Sequence, residues 1–100
     1  MPSTTIVRYK THPEHAEANA ALVKTVFEAL ARTRPAGVRY QCLRAPDGVS
    51  FTHIATIEPA AGGNPLTEMP EFQAFLAGLG QRCAEPPVRV ESERIGHYAA

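Results

Sequence analysis

Residues 38–58 read VRYQCLRAPDGVSFTHIATIE, and the fold turns on how this stretch is parsed. In VRYQCLR, Val38, Tyr40 and Cys42 share one face, opposite Arg39, Gln41 and Leu43. In SFTHIATIE (50–58), Phe51, His53, Ala55 and Ile57 share a face, opposite Thr52, Ile54, Thr56 and Glu58. APDG (45–48) carries turn chemistry: Pro46 presets φ, Asp47 can bond back to the backbone, and Gly48 accepts positive φ. The pattern predicts an antiparallel hairpin. With Ala45 paired to Gly48, Tyr40 faces His53, Cys42 faces Phe51 and Val38 faces Ala55. A slip of one residue sets apolar against polar, so only registers of this parity are sensible. A histidine then sits in the middle of an apolar row, beside a phenol.

Outward from the hairpin, TTIVRYK (4–10) alternates as a first strand. In THPEHAE, Thr11 and Glu14 have capping-box spacing and Pro13 suits a first helical turn, predicting a helix from there to about Arg32. Its stripe is Asn19, Leu22, Val23, Val26, Phe27 and Leu30, and Pro35 and Gly37 end it. PAAGGNP (59–65) reads as a flexible loop. A second helix starts near Pro70, with Phe72, Phe75, Leu76 and Leu79 on one stripe. Pro86 and Pro87 close a connection, and VRVESERI (88–95) alternates as a fourth strand, followed by a frayed or strand-extending tail.

The order β-α-β-β-α-β is the ferredoxin-like split arrangement, an α+β fold in one domain over 1–100. It places both helices on one face of a four-stranded antiparallel sheet of order 4-1-3-2. Helices need apolar sheet surface beneath them, which assigns Phe51, Ala55, Ile57, Val38, Val7, Val88 and Val90 to the helix side. The other face carries Ile6, Leu43, Ile54 and Ile95 among polar residues, a mixture that suits a partner subunit. A two-fold homodimer with facing sheets is the expected assembly, against a monomer with scattered surface aliphatics.

Lys plus Arg and Asp plus Glu each number 10, so the net charge is zero, and no basic block recruits nucleic acid or an anionic membrane. No apolar run approaches the ~20 residues of a membrane span. The N-terminal residues lack a signal peptide's apolar core, and the chain reads as cytoplasmic. Cys42 and Cys83 form no CxxC pair and read as reduced, buried, small apolar residues.

The element order, a short third strand ending in TIE, a loop, and then MPEFQAFL leading the second helix resemble the antibiotic-biosynthesis-monooxygenase-like proteins of the dimeric α+β-barrel superfamily. PEFQAFL carries the resemblance best, since Phe72 and Phe75 match the paired aromatics that many members place there. The resemblance implies a homodimer whose sheets form a barrel. It also implies an apolar pocket between sheet and helices, where some members oxidise polycyclic phenols with dioxygen and no cofactor. Haem-handling relatives draw an axial histidine from the second helix, and residues 66–83 contain none. No cofactor is expected.

His53 and Tyr40 are the candidate catalytic pair: a neutral imidazole beside a phenol can take a proton from a phenolic substrate. Tyr9 would help orient that substrate, with His15, Asn19, Phe51, Phe72, Phe75 and Leu76 as further ligand contacts. The alternative is a non-catalytic small-molecule binder or dimerisation module in which His53 is structural and the aromatic residues are plain core. Asn19 equally reads as a helix-edge amide facing water. His12 and His15 are three apart, but a metal site needs three or four converging donors, and none is expected.

Overall fold

The computed structural model describes residues 3–58 and 63–100, so part of the loop read at 59–65 lies outside the described residues. Strand β1 (Ser3–Thr11) leads through a 3-10 turn (Pro13–His15) into helix α1 (Ala16–Thr33). The hairpin of β2 (Val38–Arg44) and β3 (Ser50–Ile57) follows, then helix α2 (Pro70–Ala77), the short helix α3 (Leu79–Arg82) and β4 (Cys83–Ser92). The strands form one antiparallel sheet in the order β2-β3-β1-β4, the ferredoxin-like order, with β3 and β1 inside. Val23 and Val26 of α1 and Phe75 of α2 join Tyr9 and Phe51 of the sheet in one apolar core, so both helices lie on the same face.

The hairpin keeps the expected parity, but its register is two residues away from the one the sequence suggested. Ala45 N–H donates to Ser50 O at 2.9 Å, and the pairs are Cys42 with His53, Tyr40 with Ala55 and Arg44 with Phe51. Pro46 is the cause. A two-residue hairpin loop needs positive φ at its first central position, which proline cannot adopt. The chain instead turns over Ala45–Gly48, where Gly48 has φ 80°, and closes two residues later. Asp47 holds that longer loop, accepting from the N–H groups of Val49 (3.0 Å) and Ser50 (2.9 Å).

The capping box does not form. Thr11 is the last residue of β1, paired with Cys83 and 1 % exposed, so its side chain belongs to the sheet. His12 takes the N-cap position without a side-chain bond, and Pro13 begins the 3-10 turn. At the other end of α1, Arg34 takes a left-handed cap (φ 48°), its N–H donating to Leu30 O at 2.8 Å.

The fourth strand begins at Cys83 rather than Val88 and ends at Ser92, with Pro86 and Pro87 inside it, an arrangement that only an edge strand tolerates. Val88 and Val90 pair with Arg8 and Ile6 and lie on the open face, not under the helices. The expectation assumed that the helix layer reaches the edge strand. It does not: the helix-facing positions of β4 are Arg89 and Glu91, whose side chains are 69 % and 57 % exposed and ion-paired at 2.8 Å.

Phe51 is buried under the Tyr9 ring, 5.5 Å between centroids. Phe51→Ala is expected to lower the unfolding free energy by about 3–5 kcal/mol in urea denaturation.

Candidate functional site

Parity alone determines which side chains meet. His53 projects from β3 toward the helices, Tyr9 from the neighbouring β1 and Tyr40 from β2 on the other side. Because the side chains lean along their strands, both phenols reach the imidazole although neither is its direct cross-strand partner. Tyr9 Oη lies 2.7 Å from His53 Nε2, and Tyr40 Oη lies 2.5 Å from Nδ1. Phe75 covers the imidazole at 5.2 Å between centroids, and Phe27 stacks on Tyr40 at 4.8 Å.

Behind Tyr9 the network continues into the helices. Asn19 is fully buried, so it neither faces water nor lines the cavity; its Nδ2 donates to Tyr9 Oη at 2.8 Å. Its Oδ1 accepts from Arg82 Nε at 3.0 Å. Arg82, 9 % exposed, also donates to the Phe75 carbonyl at 2.8 Å and lies over the Phe75 ring at 5.4 Å. The ion pairs among the described residues do not include it, so neutral acceptors and a ring face compensate its burial. Sequence reasoning missed Arg82, which at a helix end reads as solvated and whose partner Asn19 is 63 positions away. One local signal existed: Gly78 leaves room for the guanidinium, and a Cβ there would stand 2.7 Å from it.

A cavity of about 160 Å³ lies between the sheet and α2. Val7, Ala55, Ile57, Phe72, Phe75 and Leu76 make much of its apolar wall, and Tyr9, Tyr40 and His53 bring polar atoms to it. Of the residues singled out in the sequence, Tyr9, Tyr40, His53, Phe72, Phe75 and Leu76 therefore converge. Phe51 is packed behind Tyr9, and His15 sits edge-on to His12 at the start of α1, outside the wall. The loop before α2 adds Asn64, Leu66 and Thr67, and β4 adds Arg89, the one charged residue among the described wall residues.

Burial keeps this cluster neutral. It pushes the Tyr40 hydroxyl well above its ordinary value, and the Tyr9 hydroxyl likewise despite the Asn19 bond. The Cys42 thiol, 3.5 Å from His53 Nε2, is pushed up to about 11. His53 is pushed down to about 4, so it is a neutral imidazole at pH 7. Among the described residues, no group of three or more His, Cys, Asp or Glu could hold a metal ion, and no helix is long and apolar enough to cross a membrane.

No family model matches the sequence, and no curated protein matches it. Solved structures do. The Rv0793 protein of Mycobacterium tuberculosis superposes with a TM-score of 0.77 at 19 % identity, covering 99 % of this chain and 100 % of that one. A Nitrosomonas europaea protein assigned as an antibiotic biosynthesis monooxygenase gives 0.76 at 18 % identity, covering 94 % and 90 %. A further antibiotic biosynthesis monooxygenase gives 0.75 at 14 % identity, covering 94 % and 99 %. The fold is that of the family whose resemblance the PEFQAFL segment carried, and at these identities the likeness is one of fold.

A histidine whose folded value lies below its unfolded one binds fewer protons folded than unfolded between the two. The stability it contributes is complete above 6.5 and is lost as pH falls from about 6.5 to about 4. Its neighbours Tyr9, Tyr40 and Cys42 stay neutral throughout that window. The loss is about 3 kcal/mol, a fall in melting temperature on the order of 10–20 °C. Thermal melts across this window should show it, and His53→Gln should flatten the slope.

Proposed function

We propose that this protein is a cofactor-free, monooxygenase-like enzyme acting on a small aromatic or phenolic compound, and that it works as a homodimeric α+β barrel. The observation that carries the reading is the Tyr40–His53 pair set in the wall of an otherwise mostly apolar cavity between sheet and α2. A volume of about 160 Å³ is close to that of the engineered protein cavity of ~150 Å³ that holds benzene. That space matches a single ring.

The chemistry needs no resident oxidant carrier. A phenol held as its anion is electron-rich enough to give electrons to dioxygen; one oxygen atom enters the ring to make a quinone, and the other leaves as water. The ring supplies every electron. His53 reaches the substrate through Tyr40, because Tyr9 and Tyr40 occupy its two nitrogens. With its conjugate acid at about 4, taking a proton from an ordinary phenol costs it ~8 kcal/mol. The pair is therefore better suited to holding a phenolate than to making one.

The open sheet face supports the dimer. Leu43, Val88 and Val90 are 53 %, 61 % and 50 % exposed, and the sheet register sets Val90 beside Ile6 and Ile6 beside Ile54. Together they make an apolar patch suited to a second copy.

The second reading, a non-catalytic binder with a structural His53, is favoured by one observation: both imidazole nitrogens already have partners inside the protein. The readings separate on His53→Gln. The melting temperature falls under both readings; an enzyme also loses turnover and stays dimeric, while a binder with a purely structural His53 keeps its ligand affinity. In an oxygen electrode the wild type should consume dioxygen with single-ring phenols, and Tyr40→Phe should cut kcat/KM on the order of 10²-fold. Absence of uptake across a panel of such phenols would leave only the binder. In sedimentation velocity the wild type should run as a dimer and Val90→Lys as a monomer; a monomeric wild type would sink the barrel.

A further inference from the structure

The geometry points to a one-way hydrogen-bond relay, Arg82–Asn19–Tyr9–His53–Tyr40, that fixes the Tyr40 hydroxyl as a donor into the cavity, so the site takes a single-ring ligand through an acceptor oxygen, as phenolate rather than phenol. The ligand half of this inference rests on the reading of the cavity as the ligand site; the relay does not.

Each link fixes the next. A guanidinium is donor only, so Arg82 Nε forces the Asn19 oxygen toward itself and the Asn19 NH₂ toward Tyr9. Tyr9 Oη therefore accepts from Asn19. Tyr9 is 5 % exposed, and the remaining partner for its own proton among the described residues is His53 Nε2. If Nε2 carried a proton instead, the Tyr9 hydroxyl would be a buried donor without an acceptor, an arrangement native interiors avoid. Nε2 accepts, so the proton of the neutral ring sits on Nδ1 and is donated to Tyr40 Oη. Tyr40 has no other hydrogen-bond partner among the described residues, and its ring lines the cavity. Its hydroxyl proton is thus left for the ligand.

Two further features favour an anion there. The relay begins at a buried cation, and every bond in it is polarised in the same direction, which strengthens the last donor. The described cavity wall holds no carboxylate to repel an anion; its one charged residue, Arg89, is paired with Glu91 just outside that wall. An ionised oxygen accepting from Tyr40 makes a charge-assisted bond, stronger than a phenol would make. Burial holds both tyrosines in their protonated form and His53 in its neutral one, so the relay stays intact at neutral pH.

Asn19→Asp tests the direction with little change of shape. A carboxylate beside Arg82 stays ionised and only accepts, so Tyr9 must donate to it, Nε2–H must donate to Tyr9, and Tyr40 must donate to Nδ1. The whole relay reverses and shows the cavity an acceptor. Nitrogen NMR of the His53 ring in the full chain, without ligand, should find the proton on Nδ1 in the wild type and on Nε2 in Asn19→Asp. With para-nitrophenol as probe, whose ionised form is coloured, the wild type should prefer the anion at least 10-fold, and Asn19→Asp should prefer the neutral form.

A wild-type proton on Nε2, or an Asn19→Asp ring unchanged from the wild type, overturns the relay. Equal affinity for the two probe forms overturns the ligand preference. Failure of the wild type to bind either form, with the tautomers as expected, counts against the cavity as the ligand site and takes the ligand half with it. Should Asn19→Asp not fold, Tyr9→Phe removes the donor to Nε2 and should cost the anion preference at least 10-fold; an unchanged preference overturns the relay.

Discussion

An imidazole buried in an apolar core must have both nitrogens satisfied, and that requirement organises this protein. Tyr9 and Tyr40 meet it from the two strands flanking His53, so a single side chain ties β1, β2 and β3 together on the helix side. Tyr9 then draws in Asn19 of α1, and Asn19 draws in Arg82 of α3. Five elements are held in one orientation by bonds that tolerate little error in distance. The apolar residues around them supply the burial that makes those bonds obligatory.

Much of this was legible in sequence because alternation survives ignorance of detail. The parity of residues 38–58 put Tyr40, Cys42, Phe51 and His53 on one face in any sensible register, so the wrong register still gave the right neighbours. The element order gave the strand order 4-1-3-2, which the sheet adopts. The register failed because Pro46 was read as a generic turn former, when its fixed φ excludes the very turn that the assumed pairing needs. The β4 valines were misplaced for a different reason. Alternation says that two faces differ, but which one is covered depends on how far the helices reach, and that is a tertiary fact.

The candidate site divides along the same line. Tyr9, Tyr40, His53, Phe72, Phe75 and Leu76 sit on strongly periodic segments, and the structure brings them to one cavity. Asn19 was visible as a polar residue on an apolar stripe, but its partner was not. A buried arginine is recognised by what surrounds it, and here the surroundings are a ring, a carbonyl and an amide remote in sequence. Neutral partners leave no pattern of opposite charges to read.

The paired prolines of β4 carry a consequence for assembly. Pro86 and Pro87 remove two successive backbone donors from this edge strand. Both losses fall where the β1–β4 register breaks, between the Arg8–Val88 and Lys10–Glu85 pairs. An edge that is both irregular and short of two donors offers an incoming strand from another molecule no regular ladder to extend at that point. Copies of this chain are thereby discouraged from lengthening the sheet side by side at that edge, the route by which exposed strands seed fibrils.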